Sequence, residues 1–271
     1  DNIGFNAGAA NFADKNVANN IGISVTGIAA TGGDASNYVL DNTTAATQAN
    51  ITPREIHLTG TRVYDALTDA NASVFMSGGQ LATGVAGETL VVSGAGTLAN
   101  KNVGNSKAVT LGTLGLGDGT NGGLASNYVL DDAKLTVTKA QLNASFTADN
   151  KVYDGGTAAT INVSALNGVL GTDDVSLNAI AGHFSDKNVG NGKTVTDDIT
   201  VQGTDIGNYT FVHTTATANI TPLAITVTAT GTNRAYNGLT HDNVSLTANG
   251  LVGGDTLTFT AGASDFADAN V

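Results

Sequence analysis

The 271-residue sequence predicts an all-β chain of tandem modules, each made of two small sheets packed face to face. Three observations carry this. Apolar residues alternate with period two, the strand period, over many short stretches, while no stretch of helix length repeats them at three- and four-residue spacing. The composition combines 41% apolar residues with only 5% aromatics, no Trp, 35 Gly and two Pro, Pro53 and Pro222. Small and β-branched residues punctuated by Gly suit short strands joined by tight turns. Third, four short motifs return in a fixed order, and an internal repeat decides the architecture before any local pattern does.

The first motif is Tyr followed by Asp or Asn: Tyr64-Asp65, Tyr153-Asp154-Gly155 and Tyr236-Asn237-Gly238. The second is Phe12 to Val17, which returns at 98–103, 184–189 and 266–271, each copy carrying an Asn before its closing Val (Asn16, Asn102, Asn188, Asn270). The third is Asn37-Tyr38, Asn127-Tyr128 and Asn208-Tyr209. The fourth is Ile51-Thr52-Pro53 and Ile220-Thr221-Pro222, with Val137-Thr138-Lys139 between them. The closing Val of the second motif falls at 17, 103, 189 and 271, so the spacing is 86, 86 and 82 residues. All six Tyr lie in a motif, and chance does not arrange that.

Strand positions follow from the motifs. Leu90 and Val92, Val175 and Leu177, and Leu257 and Phe259 hold equivalent places after an acidic residue (Glu88, Asp173, Asp255). Ile56 and Leu58 follow the first Ile-Thr-Pro as Ile225 and Val227 follow the second, and Asn191-Gly192 reads as a hairpin turn. Some six to eight short strands per module of about 85 residues favour two packed sheets. A β-solenoid would need a sub-period of roughly 20 to 30 residues, and the unit has none. The boundaries are a C-terminal part of a module at 1–53, full modules at 54–138 and 139–221, and an N-terminal part of a further one at 222–271.

The motifs resemble the YDG-type repeat domain found in tandem in large bacterial surface proteins of the filamentous haemagglutinin type. The clearest copy runs from Lys151-Val152-Tyr153-Asp154-Gly155 through Gly171 to Val175 and Phe184 to Gly190, then Asp205 to Tyr209, and closes on Ile220-Thr221-Pro222. There are departures: Ala66 stands where Gly is expected, Leu98 replaces Phe, Leu124 replaces the Asp four residues before Tyr128, and Lys139 replaces Pro. The resemblance implies immunoglobulin-like sandwiches in an extended array, export to the bacterial cell surface by two-partner secretion, and a stalk or adhesive role in cell adhesion or biofilm.

The candidate sites each have a structural reading. Recurrence in every module makes the Tyr residues core pins, each ring buried and each hydroxyl bonded to backbone, rather than ligand-stacking positions. Gly94 to Ala99 fits a dinucleotide fingerprint only on paper, because turn residues follow it instead of a helix. Gly192-Lys193-Thr194 lacks the leading Gly of a phosphate loop. His57, His183, His213 and His241 occupy four different repeat positions, and there is no Cys to join them in a zinc site. No Gly-x-Ser-x-Gly elbow exists, so the chain reads as non-enzymatic, without cofactor. Asp173, Asp174 and Asp205 are weak calcium candidates, because calcium takes oxygen ligands, but they lack the spacing of a helix-loop-helix calcium loop. Asn71, Asn143, Asn162, Asn208, Asn219 and Asn243 open Asn-x-Ser/Thr triplets that a glycosyltransferase could read.

A net charge of −12 with eight Lys and three Arg excludes nucleic acid, whose binding depends on Lys and Arg displacing counterions. No run of 18 apolar residues is present to cross a membrane as a helix. The absence of Cys fits either a cytosolic protein or a long chain exported unfolded. The expected partners are further copies of the repeat and a receptor on a host cell or matrix. The alternative is that the repeats themselves hold a glycan, a protein or a sister fibre, for which the insertion Leu116 to Ala125 is the best candidate. Residues 5–17 and 259–271 agree at nine of thirteen places, so the chain starts and stops at one phase of the repeat. Its outer segments are expected to need complementary halves from more of the same chain or from neighbouring copies.

Overall fold

The computed structural model describes residues 2–259. Asn270 and the rest of the last Phe-to-Val motif lie outside them. Among the described residues the regular elements are β-strands and four short 3-10 turns, with no α-helix. The chain divides into two compact units, Asp1–Ala140 and Gln141–Val271.

In the first unit, every strand pairing made between residues 54 and 138 stays inside that span. A five-stranded sheet runs in the order Arg54–Val63, Tyr128–Thr138, Gly104–Thr110, Ala95–Leu98, Asp69–Asn71, and a three-stranded sheet runs Gly115–Asp118, Thr89–Ser93, Leu81–Ala82. The first two strands of the larger sheet are parallel, in register from Arg54 opposite Tyr128 to Val63 opposite Thr138, and the other pairs are antiparallel. Alternation sets the buried face: Ile56 and Leu58, Ala133, Leu135 and Val137, and Leu90 and Val92 all point inward. Residues 2–53 pair among themselves, Gly4–Asn6 with Ala29–Thr31, and Ala18–Thr26 between Ala9–Phe12 and Thr44–Ile51.

The second unit holds a three-stranded sheet (Ile161–Asn167, Ala140–Ala148, Tyr209–Phe211) and a five-stranded one (Lys151–Val152, Thr215–Thr221, Gly190–Asp197, Gly182–Phe184, Ala158–Ala159). Ser176–Ala179 pairs with Thr200–Gln202, and a hairpin joins Thr226–Gly231 to Val244–Asn249. One core takes Ala144 and Ile161 from the smaller sheet and Phe184, Val195, Ala218 and Ile220 from the larger. Here the opening strand, Ala140–Ala148, sits in the three-stranded sheet, and only Lys151–Val152 pairs in parallel with Thr215–Thr221. The reason is in the sequence. The stretch from Tyr209 to Ile220 is two residues longer than that from Tyr128 to Val137, and it breaks at 212–214, where its counterpart is one strand.

Asn191-Gly192 is not a hairpin turn. It forms a bulge inside the strand Gly190–Asp197, where the register shifts between Gly190 and Lys193. The same shift falls between Ala18 and Ile21 and between Gly104 and Lys107. Each bulge has one residue at positive φ, Asn20 at 55°, Ser106 at 47° and Gly192 at 60°. A neighbouring side chain takes each exposed N–H: Asn50 Oδ1 at 2.9 Å, Thr136 Oγ1 at 3.2 Å and Asn219 Oδ1 at 2.7 Å.

Burial is concentrated in the two central spans. Of residues 2–53 only Ile21 is buried, and none of 222–259 is. Leu257, Phe259 and Val227, which hold core positions of the repeat, are therefore exposed, because the described residues there supply no second sheet to cover them. The same motif position thus differs in energy with its place in the chain. Phe184→Ala should cost about 3–5 kcal/mol, as expected of a fully buried aromatic. Phe12→Ala, at the same motif position but 42% exposed, should cost under about 1 kcal/mol. Urea unfolding of the two variants beside the parent checks the contrast.

Candidate functional site: the motif turns and the buried tyrosines

The Tyr-Asp/Asn motif is a turn closed by its own side chains. Asp65 Oδ1 accepts from the Leu67 N–H at 3.0 Å, Asp154 Oδ1 from Gly156 at 2.9 Å, and Asn237 Oδ1 from Leu239 at 3.1 Å. The next residue takes a left-handed conformation, Ala66 at φ 64°, Gly155 at 78° and Gly238 at 79°. A basic residue two places before the Tyr staples the turn. Arg62 pairs with Asp65 at 2.9 Å and donates to the Leu67 and Asp69 carbonyls. Lys151 pairs with Asp154 at 2.8 Å and donates to the Gly156 and Ala158 carbonyls. Arg234 reaches Asn237 and the Leu239 carbonyl.

The second motif works the same way. Asp14, Asn100 and Asp186 each turn Oδ1 onto the N–H two residues on, at Asn16 (3.0 Å), Asn102 (3.1 Å) and Asn188 (2.8 Å). Lys107 and Lys193, which follow the bulges, fold back on Asn100 and Asp186 at 2.9 and 2.6 Å. The Lys193 ammonium, first, and the Asn188 N–H hold the Asp186 carboxyl below the usual carboxylate range.

The third motif is a 3-10 turn, Ala35–Asn37, Ala125–Asn127 and Ile206–Asn208, which delivers the Tyr that follows. The Tyr128 hydroxyl donates to Glu88 Oε2 at 2.7 Å, and the Tyr209 hydroxyl donates to Asp173 Oδ2 at 2.6 Å while accepting from the Leu170 N–H at 3.0 Å. Both carboxylates are buried. Tyr128, first, and Lys15 hold the Glu88 carboxyl below its ordinary range, and burial pushes the Tyr128 phenol up, so it stays a donor. The Tyr209 hydroxyl also meets the backbone, as an acceptor from the Leu170 N–H. The main partner is a carboxylate, and its signal was the acidic residue before each strand, 40 residues ahead of Tyr128 and 36 ahead of Tyr209. Beside each pair a glycine lets two backbone segments touch: a Cβ on Gly123 or Gly203 would lie 1.9 or 2.0 Å from the Thr89 or Asp174 carbonyl oxygen.

These are the devices of a defined repeat. The YDG domain family model matches residues 1–46, 47–136 and 138–218. The chain belongs to the YDG domain family. Comparison with curated proteins finds no match. The YDG match ends at 218, yet Arg234, Asn237 and Leu239 rebuild the same stapled turn beyond it.

Within this YDG chain not every Tyr is a core pin. Tyr64, Tyr128 and Tyr209 are buried and Tyr153 is half-buried, but Tyr38 is 51% exposed and Tyr236 is 68% exposed. The two exposed rings lie in the outer segments, where the sheets that cover their counterparts are not among the described residues. The calcium candidates converge at one place but are bonded internally. Asp173 takes the Tyr209 hydroxyl, Asp174 Oδ2 takes the Thr204 N–H at 3.0 Å, and Asp205 Oδ2 takes the Asp174 N–H at 3.0 Å. The insertion is folded onto its own module: Thr120 N–H donates to Thr89 Oγ1 at 3.0 Å and Ala125 N–H to Asp118 Oδ1 at 2.7 Å. Asn208 is buried in its 3-10 turn, which removes it as a glycosylation acceptor.

Three His residues have Asp partners that their sequence positions did not reveal. His57 lies 2.8 Å from Asp132, His183 lies 2.8 Å from Asp198, and His213 Nδ1 lies 2.6 Å from Asp197, whose side chain is fully buried. Burial pushes the Asp197 carboxyl up, but the Thr214 N–H, His213 and the Ile199 N–H outweigh it and hold it low. Among the described residues the one group with metal-ligand proximity is Glu55, His57 and Asp131, with donor atoms within 4.8 Å of one another. All three are exposed, and Lys134 already pairs with the neighbouring Asp132 at 3.2 Å.

Two substitutions test these devices by thermal or urea unfolding. Ala66→Gly should stabilise the chain by about 1 kcal/mol, because it relieves a left-handed alanine. Tyr209→Phe should cost about 1.5–3 kcal/mol, the worth of a hydrogen bond to a charged group. The same change at Tyr38 should leave stability within about 0.5 kcal/mol of the parent.

Proposed function

We propose that the chain is a run of non-catalytic spacer repeats, immunoglobulin-like sandwich modules of about 85 residues that together form part of a bacterial surface stalk or adhesin fibre. The observation that carries the reading is the use made of the recurring residues. Motif side chains with chemical potential, Arg62 and Asp65 at the turn and Glu88 and Tyr128 across the sheets, are bonded to other residues of their own module. A repeat selected for a ligand would leave some recurring polar group turned outward, whereas a repeat selected as a spacer closes on itself. The acidic charge, the lack of Cys and the family membership agree with an exported, soluble fibre segment.

The exposed rings of Tyr38 and Tyr236 favour a second reading, in which the outer segments contact another copy of the repeat. Small-angle scattering of the chain tests the spacer reading. A strand of five or six residues spans roughly 17–20 Å, so three modules end to end should give a maximum dimension above about 100 Å. A compact particle of the size of a 271-residue globule overturns it. Concentration-dependent sedimentation is the expected sign of the second reading.

A further inference from the structure

We propose that the Lys-Asn-Val end of the second motif is a plug, and that the acidic residue and the Asn-Tyr pair of the following repeat form its seat. In the first unit Asn127 uses both ends of its carboxamide on the plug. Its Oδ1 accepts from the Val17 N–H at 2.9 Å, and its Nδ2 donates to Asn16 Oδ1 at 2.9 Å. Beside it the Lys15 ammonium lies 3.0 Å from Glu88 Oε1. The other oxygen of that carboxylate carries the Tyr128 hydroxyl. The carboxylate that closes the module thus also presents its outer oxygen to the neighbour. Val17 and Val85 line one cavity with these groups.

The second unit repeats the pairing with different residues. Lys187, the counterpart of Lys15, lies 3.9 Å from Asp255, the counterpart of Glu88. Val189 and Val252, the counterparts of Val17 and Val85, again line one cavity, here with Tyr153. The glycine of the Tyr-Asp-Gly turn takes part: a Cβ on Gly155 would come within 2.6 Å of Val252 Cγ1. The glycine that the turn needs for its conformation therefore also makes room for the next repeat.

Two occurrences at the same motif positions give the seat a defined partner, the plug of the preceding repeat. They also give the contact a direction, since plug and seat are different surfaces and join only head to tail. The use of this joint in a stalk rests on the spacer reading, but the joint is tested apart from it. The chain has no Cys, so spin labels can be placed cleanly at Ser24→Cys and Thr110→Cys, both exposed, on either side of the joint in the first unit. The distance distribution should be narrow in the parent. It should broaden in Asn127→Ala, and also in Lys15→Glu, whose side chain is 68% exposed and outside any core.

Residue-resolved hydrogen exchange on the unlabelled chain gives the second readout. The Val17 amide should exchange at least about tenfold faster in both variants, while amides of the Arg54–Val63 and Tyr128–Thr138 ladder keep their protection. An equally broad distribution in parent and variants, or a Val17 amide that neither variant changes, overturns the proposal. Either result leaves the scattering test of the spacer reading standing.

Discussion

A carboxylate buried at the head of a sheet stays there only if something donates to it, because an uncompensated buried charge costs several kcal/mol. In this chain the donor is a tyrosine that arrives 40 residues later at Glu88 and 36 residues later at Asp173. The rest of the arrangement serves that meeting. The 3-10 turn before the tyrosine sets its direction, the glycines at 123 and 203 let two backbones touch, and the tyrosine begins the strand Tyr128–Thr138 in one span and Tyr209–Phe211 in the other. Because the pair ties an early loop to a late strand, it draws together parts of the module that are far apart in the chain. It is a check on the whole module, not on one turn.

Around that long-range tie, order is held by very local chemistry. Only 13% of residues are charged and few are aromatic, so the chain relies on short polar side chains acting within two or three residues. Asp65, Asp154 and Asn237 do so in one motif, and Asp14, Asn100 and Asp186 in another. Such bonds lose little side-chain entropy, since Asp and Asn have few rotors to freeze. They also satisfy turn N–H groups that would otherwise be unpaired. An abundance of Asp, Asn and Gly is thus what many small, sharply turned strands require.

Much of this was legible in the sequence. Alternation placed Ile56, Leu58, Leu90 and Val92 on buried faces, and the motif order pointed to the YDG family that the family comparison shows. What was not legible depended on distance or on an extra residue. Asn191-Gly192 has the composition of a hairpin turn and of a bulge alike, and the choice is made by Asn219, whose side chain waits across the ladder to take the Gly192 N–H. The Asp partners of His57 and His213 are set by strand pairing and by the break at 212–214. Arg62 and Lys151 were hidden because Arg and Lys look alike as surface charges, although both return to the same carbonyl positions.

The outer segments separate what a motif encodes by itself from what it encodes only in company. Asp14 still caps Asn16, Asn50 still takes the bulge N–H of Asn20, and Asn237 still caps Leu239, although almost nothing around them is buried. Tyr38 and Tyr236 sit in the same motifs with their rings exposed. Turn geometry in this repeat is therefore autonomous, written in a few adjacent residues. Burial of the tyrosine is conditional on a second sheet that other residues must bring. In a repeat built in this way, local turn chemistry and the packed core specify the same arrangement separately, and each agrees with the other.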